Sequence, residues 1–576
     1  MIGSSVSTIV IFLPFVILRG VAGAYFKLLT NTMMIALICS FLVTWIALPV
    51  IYLLFSGKTN TVSKPDPQVH LRSGKWIAFF IRRPLISLSF IGFLIFSVIF
   101  ISGRLETGFL PEMDEGSIVL DYTSPPGTSL QETDRILREV EKLFPSVPEI
   151  ETYSRRTGAQ MGFFITEPNY GDYLIQLKKS RKRSTNDVID EIRTKVEASQ
   201  PALKIDFGQV IGDMLGDLMS STQPIEIKIY GNNVTVLQQL ANQVAKITQN
   251  IEGTADVFNG ITIAGPSVNI EPDYKNLALL GITPADFQNQ LQTQLEGVIV
   301  GNIYEKEQLT AVRMIYPNAA ATSLEKIQQG SVFLPGGKLQ PVSRLAHIAV
   351  NEGYAEIQRE NLQTMVPVIA RLNNRDLGSV MSDLKREIQS KVNLPQGFHI
   401  TYGGAYEEQQ KSFSELLMIL ITAILLVFAV MLFLFKEFKI ALLIVVLSAL
   451  GISGSMIALF LTNTPLNVGS YTGIIMIIGI IGENAIFTFL QFQQTLKTAH
   501  TDGAIIYAIS TRLRPKLMTA LGAIIALSPI AIGIGTGAQL HQPLAIAVIG
   551  GFIIALPLLL IVYPSMLRIL YKNYRS

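Results

Sequence analysis

The chain has 576 residues, 49% of them AVILMFWYC and only 15% charged, and its mean hydropathy is +0.41. This composition is too apolar for an ordinary soluble domain and predicts an integral membrane protein. The net charge of +3 is small for this length, which argues against a broadly basic nucleic-acid-binding surface. The sequence carries no P-loop, Rossmann glycine fingerprint or nucleophile elbow, so neither an enzyme nor a cofactor is predicted.

Eight apolar runs are long enough to cross a hydrocarbon core of about 30 Å as helices that rise about 1.5 Å per residue. They fall near residues 2–18, 29–55, 84–103, 413–435, 440–461, 466–492, 516–535 and 543–567. The sequence therefore predicts an α-helical polytopic membrane protein with eight transmembrane helices. Three helices form a first membrane block at 1–103, and five form a second at 412–576.

Lysine and arginine are concentrated in the connections on one side of these runs. The basic connections are the loop at about 56–83, the link at 436–439, the loop with Lys497, Arg512 and Arg514, and the C-terminal tail. The links at 462–465 and 536–542 on the other side have neither residue. Because cytoplasmic loops carry the excess of Lys and Arg, the basic segments are predicted to be cytoplasmic and residues 104–411 to lie outside the cytoplasm.

The long segment between the membrane blocks shows alternating strand and helix patterns, which predict an α+β domain. Ser129, with Glu132 three residues later, is a capping-box pattern that predicts the start of an amphipathic helix. Strand patterns at 116–122, 173–177 and 204–207 flank this helix and a second one at 185–197. Their order suggests a ferredoxin-like βαββαβ unit at 104–222. A related unit, at 223–268 and 362–411, is interrupted by a module at 269–361.

One carboxylate, Glu483, lies deep inside a predicted membrane helix, in the run YTGIIMIIGIIGENAIFTFLQF at 471–492. A carboxylate at that depth costs at least about 2.5 kcal/mol to insert, so such residues usually face a bundle interior or a water-filled path and move ions or protons. The alternative is a protonated Glu that packs by hydrogen bonding to a neighbouring helix. Glu483 is therefore the first candidate for a functional residue.

Two charged clusters have a structural and a functional interpretation. Glu106, Glu112, Asp114 and Glu115 follow the third run, and they could collect a hard cation or simply form a solvated elbow. The basic run at 178–183 could contact a partner or anionic headgroups, or be an exposed charged loop.

Six stretches carry a resemblance to a known family. They are IVIFLPFVILRGVAG at 9–23, FLPEMDEG at 109–116, PPGTSLQETDRI at 125–136, SRRTGAQ at 154–160, RLRPKLMTAL at 512–521 and GTGAQLHQPLAIAVIGG at 535–551. On these stretches, which follow the family's order, the chain resembles the C-terminal portion of the resistance-nodulation-division (RND) efflux transporters of the AcrB and CusA superfamily.

The resemblance implies a trimeric permease of the bacterial inner membrane with twelve helices, of which this chain would hold the fifth to twelfth. It implies that the βαββαβ units are porter subdomain 1 (104–222) and porter subdomain 2 (223–268 and 362–411), and that residues 269–361 form a docking subdomain, all in the periplasm. It further implies a periplasmic adaptor (membrane fusion) protein and an outer-membrane channel as partners. Proton influx drives export of drugs or heavy-metal ions in the family.

The resemblance also implies a role for Glu483. Family members bind protons at an aspartate pair on the fourth helix, often beside a lysine on the tenth, and Glu483, next to Asn484, occupies the lysine's position. A carboxylate cannot neutralise the aspartates, but it can add a third proton acceptor. Glu483 and Asn484 are therefore predicted to relay protons once a longer protein or a separate chain supplies the first four helices.

The resemblance leaves the substrate open between drugs, lipids and metal ions. Copper and silver exporters of the heavy-metal branch use three methionines in the porter cleft, because soft thioethers suit those ions. Met214 matches one of these positions, and the other two fall near Asn169 and Ile282, which carry no sulfur. Met214 is thus a candidate substrate ligand, with apolar lining as the alternative. The predicted function is proton-driven efflux by an N-terminally truncated or split pump; the alternative is a transport-inactive scaffold that binds the adaptor.

Overall fold

The computed structural model describes residues 13–17, 20–55, 67–111, 113–160, 166–212, 214, 223–261, 267–306, 308–317, 323–351, 357–373, 375–535 and 537–571. Seven helices in these ranges are long and apolar enough to cross a membrane. The helices before and after the long α+β segment pack on one another. Their buried side chains form a single cluster, which includes Ile77, Leu94, Ile440, Phe489 and Tyr563.

The membrane domain contains eleven helices in the described ranges. The first block holds α1 (Gly20–Leu42), which continues through a π-helical turn (Val43–Ala47) into α2 (Leu48–Phe55), then α3 (Pro67–Arg82) and α4 (Pro84–Ser102). The second block holds α12 (Gly404–Phe435), α13 (Phe438–Leu450), α14 (Ile452–Leu461), α15 (Val468–Leu496), α16 (Thr501–Ala531), α17 (Ala538–Pro557) and α18 (Tyr563–Leu570).

Seven of the eight predicted runs coincide with these helices. The eighth, near 2–18, lies outside the described residues except for a 3-10 turn (Leu13–Ile17). The predicted loop around Arg512 and Arg514 is wrong, because α16 begins at Thr501 and includes both residues. The helix extends so far because Ala504, Ile505, Ala508 and Ile509 repeat at helical spacing and are buried, although the residues between them are polar.

The segment predicted as porter subdomain 1 is one antiparallel sheet with two helices. Its elements follow the order β1 (Ser117–Thr123), α5 (Leu130–Glu141), β2 (Ile150–Thr157), β3 (Tyr170–Leu177), α6 (Thr185–Ser199) and β4 (Lys204–Gly208). The strands lie in the order β2-β3-β1-β4, the split βαβ arrangement. Ser129 caps α5 as expected, accepting a hydrogen bond from the Glu132 amide at 3.3 Å. Apolar side chains from one face of the sheet, including Ile118, Leu120 and Ile175, form the core against α5 and α6.

The segment predicted as porter subdomain 2 repeats this plan around a five-stranded sheet. Its elements are β5 (Ile225–Tyr230), α7 (Val234–Gln249), β6 (Thr254–Phe258), β13 (Arg359–Glu360), β14 (Gln363–Leu372), α11 (Leu377–Lys391) and β15 (His399–Gly403). The strands run β13-β14-β5-β15, with β6 also paired to β14. The residue boundaries assigned to the two porter subdomains and to the docking subdomain stay predictions.

The insertion between β6 and β13 has its own small core. It contains β7 (Ser267–Pro272), α8 (Tyr274–Leu279), α9 (Pro284–Leu295), β8 (Val298–Glu305), β9 (Gln308–Met314), α10 (Leu324–Gln329), β10 (Ser331–Phe333), β11 (Leu339–Pro341) and β12 (Ala346–Asn351). Leu277, Ile282, Phe287 and Val342 are buried in that core. The hairpin β8–β9 is exposed along its whole length.

Candidate functional site in the membrane domain

The candidate site lies near the middle of α15, which the surrounding helices hold in place. Asn467 begins the helix with a capping box: its side chain accepts from the Ser470 amide at 3.0 Å, and Ser470 Oγ accepts from the Asn467 amide at 2.7 Å. Gly482 faces α12 and α13, where a Cβ would lie 3.6 Å from Ser448 Oγ and Val427 Cγ1, an ordinary contact distance. Glu483 therefore lies on a helix whose other faces are fixed by packing.

Glu483 and Asn484 are both half-buried. Asn484 donates from Nδ2 to the carbonyl oxygen of Ile480, one turn earlier in α15, at 2.9 Å. The amide oxygen of Asn484 takes no part in this hydrogen bond. The partly exposed positions Ile480, Glu483 and Phe487 recur every three or four residues. They therefore form one stripe of α15 that the described residues leave partly uncovered.

A buried lysine completes the site from the neighbouring helix. Lys516 in α16 is 5% exposed, and its Nζ has no hydrogen-bond partner among the described residues. Lys516 and Asn484 line the same small cavity, together with Thr519 and apolar side chains of α15, α16 and α17. Asn484 lies 12 residues before the end of α15 and Lys516 lies 15 residues after the start of α16, about 18 and 22 Å along two consecutive helices. The two residues therefore reach a similar depth.

The sequence-based prediction missed Lys516. The predicted apolar run at 516–535 begins at this lysine, which puts it at the end of a membrane helix and not in its middle. The signal that could have identified Lys516 is the helical spacing of Ala504, Ile505, Ala508 and Ile509. This pattern extends the helix toward the N-terminus by about four turns, so that Lys516 lies near the middle of the helix.

The start of α15 is joined to the porter region by a short elbow that follows α4. The Leu466 amide donates to the Glu106 carbonyl at 2.7 Å, and the Gly108 amide donates to the Leu466 carbonyl at 3.1 Å, a parallel β-bridge. The Thr107 amide then donates to Asp376 Oδ2 at 3.4 Å, and Asp376 is the N-cap of α11 in porter subdomain 2. These hydrogen bonds therefore connect the start of α15 to the start of α11.

A second junction connects the sheet of porter subdomain 2 to the membrane. Strand β15 ends at Gly403, and α12 begins at Gly404 with no intervening residue. Gly404 has a φ of +70°, and a Cβ there would lie 2.8 Å from the carbonyl oxygens of Gln223 and Pro224. Only glycine fits both the left-handed backbone and the close contact. The strand and the helix are therefore joined directly, without a flexible loop between them.

Comparison with known proteins places the chain in a family. The model of the AcrB/AcrD/AcrF family matches residues 1–571. The chain belongs to that family. Among its relatives, the "cobalt-zinc-cadmium resistance protein CzcA" of Cupriavidus metallidurans is 27% identical over 98% of this chain and 54% of that protein. The "nickel and cobalt resistance protein CnrA" of the same organism is also 27% identical, with the same coverage.

More distant relatives agree on the fold. The "cation efflux system protein CusA" of Escherichia coli is 24% identical over 81% of this chain and 46% of that protein. A crystal structure described as a heavy metal efflux pump superposes with a TM-score of 0.87 at 24% identity, covering 99% of this chain and 58% of that one. This AcrB/AcrD/AcrF member thus spans about half the length of the curated relatives it matches.

The predicted substrate positions do not come together in this family member. Ile282 is buried in the core of the docking insertion, whereas Asn169 lies in porter subdomain 1. The Asn169 amide is already engaged, since its Nδ2 donates to the Ser124 carbonyl at 3.0 Å. Met214 is 58% exposed. Ile282 therefore lies in a different core from Asn169, and the assignment of Met214 as a substrate ligand stays a prediction.

The charged motifs outside the membrane serve the fold. Asp114 binds Arg181 and the hydroxyl of Thr185, which ties the acidic elbow to the basic run. Glu115 accepts from the Ile211 amide at 2.9 Å. Arg183 pairs with Glu149 and Glu191. Asp114, Glu115, Arg181 and Arg183 are therefore engaged in internal contacts, and Glu112 lies outside the described residues.

Proposed function

We propose that this chain is the proton-responding part of an inner-membrane permease that exports metal cations by proton antiport. The observation that carries the proposal is the presence of two ionisable side chains in the membrane domain: Glu483 is half-buried on α15, and Lys516, which lines a cavity with Asn484, is buried on α16. Ionisable groups at that depth are expensive, and they are usually retained because they bind or relay ions. Glu483, Asn484 and Lys516 are the residues to which we assign the relay.

The partly exposed stripe of α15 is consistent with contact to further helices that are not among the described residues. Glu483 lies on that stripe, and the curated relatives are about twice as long as this chain. We infer that helices supplied by the remaining half of the transporter cover the stripe and bring the proton-binding aspartates next to Glu483. The eight-helix count, with residues 104–411 in the periplasm, belongs to the same proposal.

Coupling between proton binding and substrate movement would run through the two junctions. A change of charge at Glu483 shifts α15, and the elbow at Thr107 passes that shift to Asp376 and the porter region. The direct connection of β15 to α12 provides a parallel path. In this scheme the porter subdomains alternate between arrangements while a homotrimer holds the periplasmic adaptor and the outer-membrane channel.

Divalent cations are the favoured substrate class over drugs and over copper(I) or silver(I). CzcA and CnrA are named for cobalt, zinc, cadmium and nickel, and these ions accept nitrogen and oxygen ligands. Soft monovalent ions need several thioethers, and Met214 is the one matched position that has a sulfur. Met214 would then line the path without forming a thioether site.

Reconstitution of the complete transporter tests this function. Vesicles with an internal pH dye would report proton flux while cobalt, zinc, copper(I) or silver(I) is supplied. Glu483→Gln is expected to reduce metal-dependent proton flux to the level of protein-free vesicles. The matched control is Glu407→Gln, which removes a carboxylate that is 44% exposed at the outer end of α12.

The outcomes separate the candidate functions. Unchanged flux in Glu483→Gln would remove the relay assignment, and flux with silver(I) but not cobalt or zinc would reverse the substrate class. Binding of the adaptor without flux in any form of the protein would instead support a transport-inactive scaffold.

A further inference from the structure

The two porter sheets meet at their edges, and ionisable side chains make the join. Strand β4 is an edge of the first sheet, and β6 is an edge of the second. No ladder hydrogen bonds link these strands in the described part of the chain. Instead Arg193 of α6 pairs with Asp256 of β6, and Lys204 lies over the Phe258 ring at 5.9 Å. Charged side chains therefore take part in both of these cross-junction contacts.

Asp256 is aimed at this junction by an irregular backbone. The pairing of β6 with β14 shifts between Ile369 and Arg371, and Asp256 has a φ of +49°. A bulge of this kind turns a side chain out of its own sheet. The Asp256 carboxylate consequently reaches Arg193 across the junction, with Arg371 of its own sheet 3.6 Å away. A left-handed aspartate costs free energy, which the two arginines offset.

Asp206 is the titratable group at the centre of the cluster. It lies on β4 and accepts a hydrogen bond from Gln223, which precedes the first strand of porter subdomain 2. Its cross-strand neighbour on β1 is Asp121, whose own neighbour on β3 is Asp172. Three carboxylates in register are unfavourable when all are charged. Asp172 is neutralised by Arg156 in a bidentate pair at 2.7 and 2.8 Å.

The charged groups around Asp206 come from every packed element. They are Asp121 on β1, Lys204 on β4, Arg193 on α6, Asp256 on β6 and Arg371 on β14. Burial is the main cause that raises the pKa of Asp206 to about 6; Arg371 and Arg193 oppose it and Asp256 adds to it.

We propose that Asp206 and the Arg193–Asp256–Arg371 bridge form a proton-sensitive latch that holds porter subdomain 1 against porter subdomain 2, joined when Asp206 is protonated and loosened when it ionises. The sign follows from linkage. The pKa of Asp206 in the joined state lies above its ordinary value of 3.8, so the joined state binds the proton more tightly. Its advantage is complete below about pH 4 and is lost as the pH rises through about 6. Separation that exposes Asp206 fully to water would return its pKa to 3.8, and the ratio of joined to separated forms would then change by at most about a hundredfold across that window.

Distances between spin labels on the two subdomains test the latch independently of transport. In a Cys39→Ser background, Ser199→Cys at the end of α6 and Gln249→Cys at the end of α7 place labels at exposed positions. The full chain in nanodiscs is expected to give a narrow distance distribution at pH 5 and a broader, longer one at pH 7.5.

Three variants separate the latch from a general effect of pH. Asp206→Asn keeps the shape without the charge and is expected to stay narrow at both pH values. Arg193→Gln removes the cross-junction pair and is expected to be broad at both. Asp190→Asn, the same change at an exposed position of α6, should behave as the parent chain. A distribution that does not change with pH in the parent chain, or a pH transition that persists in Asp206→Asn, would overturn the proposal.

Discussion

Lys516 allows the site to be tested by stability as well as by activity. The side chain is 5% exposed and its Nζ makes no hydrogen bond to the described residues. A lysine at the centre of a membrane helix costs about 2.5–3.5 kcal/mol on insertion scales. Methionine has a similar length and lacks this cost, so Lys516→Met is expected to stabilise the chain by about 2–3 kcal/mol. That change multiplies the ratio of folded to unfolded protein by about a hundred.

Unfolding of the purified chain in mixed micelles of increasing SDS content measures this difference in the free energy of unfolding. Trp76 packs against the membrane core and provides the fluorescence signal. Lys497→Met is the matched control, because Lys497 is exposed at the end of α15. Its effect is expected to stay within about 0.5 kcal/mol. Destabilisation by Lys516→Met, or an equal gain in both variants, would refute the argument that an unpaired buried charge is the cause.

The same substitution should have the opposite effect on activity. If the charge is retained for the relay at a cost in stability, the more stable Lys516→Met transporter should lose metal-driven proton flux. A variant that is both more stable and fully active would show that Lys516 has no part in the relay.

Three further predictions concern the scaffold. Arg156→Met is expected to destabilise porter subdomain 1 by about 3–5 kcal/mol, because it removes the bidentate Arg156 pair from the Asp172 carboxylate, which is 1% exposed. Asp172→Asn should cost less, since the Arg156 side chain is 34% exposed and can be hydrated; hydrogen exchange of the β3 amides ranks the two, and the reverse order would contradict the argument. Gly550→Ala places a Cβ 2.4 Å from the Gly454 carbonyl oxygen where α14 crosses α17, and a thermal melt should show a loss of about 1–3 kcal/mol. Ser184→Ala removes the capping box of α6, which should cost about 1 kcal/mol and speed exchange in the first helical turn; unchanged exchange would show that the cap is dispensable.

Regular elements were predictable where burial leaves a clear local pattern. The apolar runs gave the membrane helices, and Ser129 with Glu132 gave the start of α5. Strand β2 (Ile150–Thr157) was not predicted, because it is an edge strand whose four consecutive exposed residues are flanked by half-buried ones, so it lacks the alternation that marks a half-buried strand. Strand β6 was missed for a similar reason: it is a short edge strand whose side chains are all half-buried.

The candidate site was predictable only in part. Glu483 stands out in the sequence because a carboxylate among apolar residues is conspicuous without any knowledge of packing. Asn484 was named only as its neighbour, and Lys516 was overlooked because the polar residues before it hide the helix. Their shared cavity depends on how α15 and α16 pair, which no local pattern specifies.

The amino-acid sequence by itself determined that the protein is built around membrane helices, that an α+β segment separates two helical blocks, and that one acid lies in the apolar interior. These properties follow from composition and periodicity, which act over a few turns of chain. Only the tertiary structure decided that Lys516 faces the cavity beside Asn484 and that Asp206 lies near Asp256 across two sheets. Such contacts join residues far apart in the chain, and their energies depend on burial that exists only once the helices and sheets have packed.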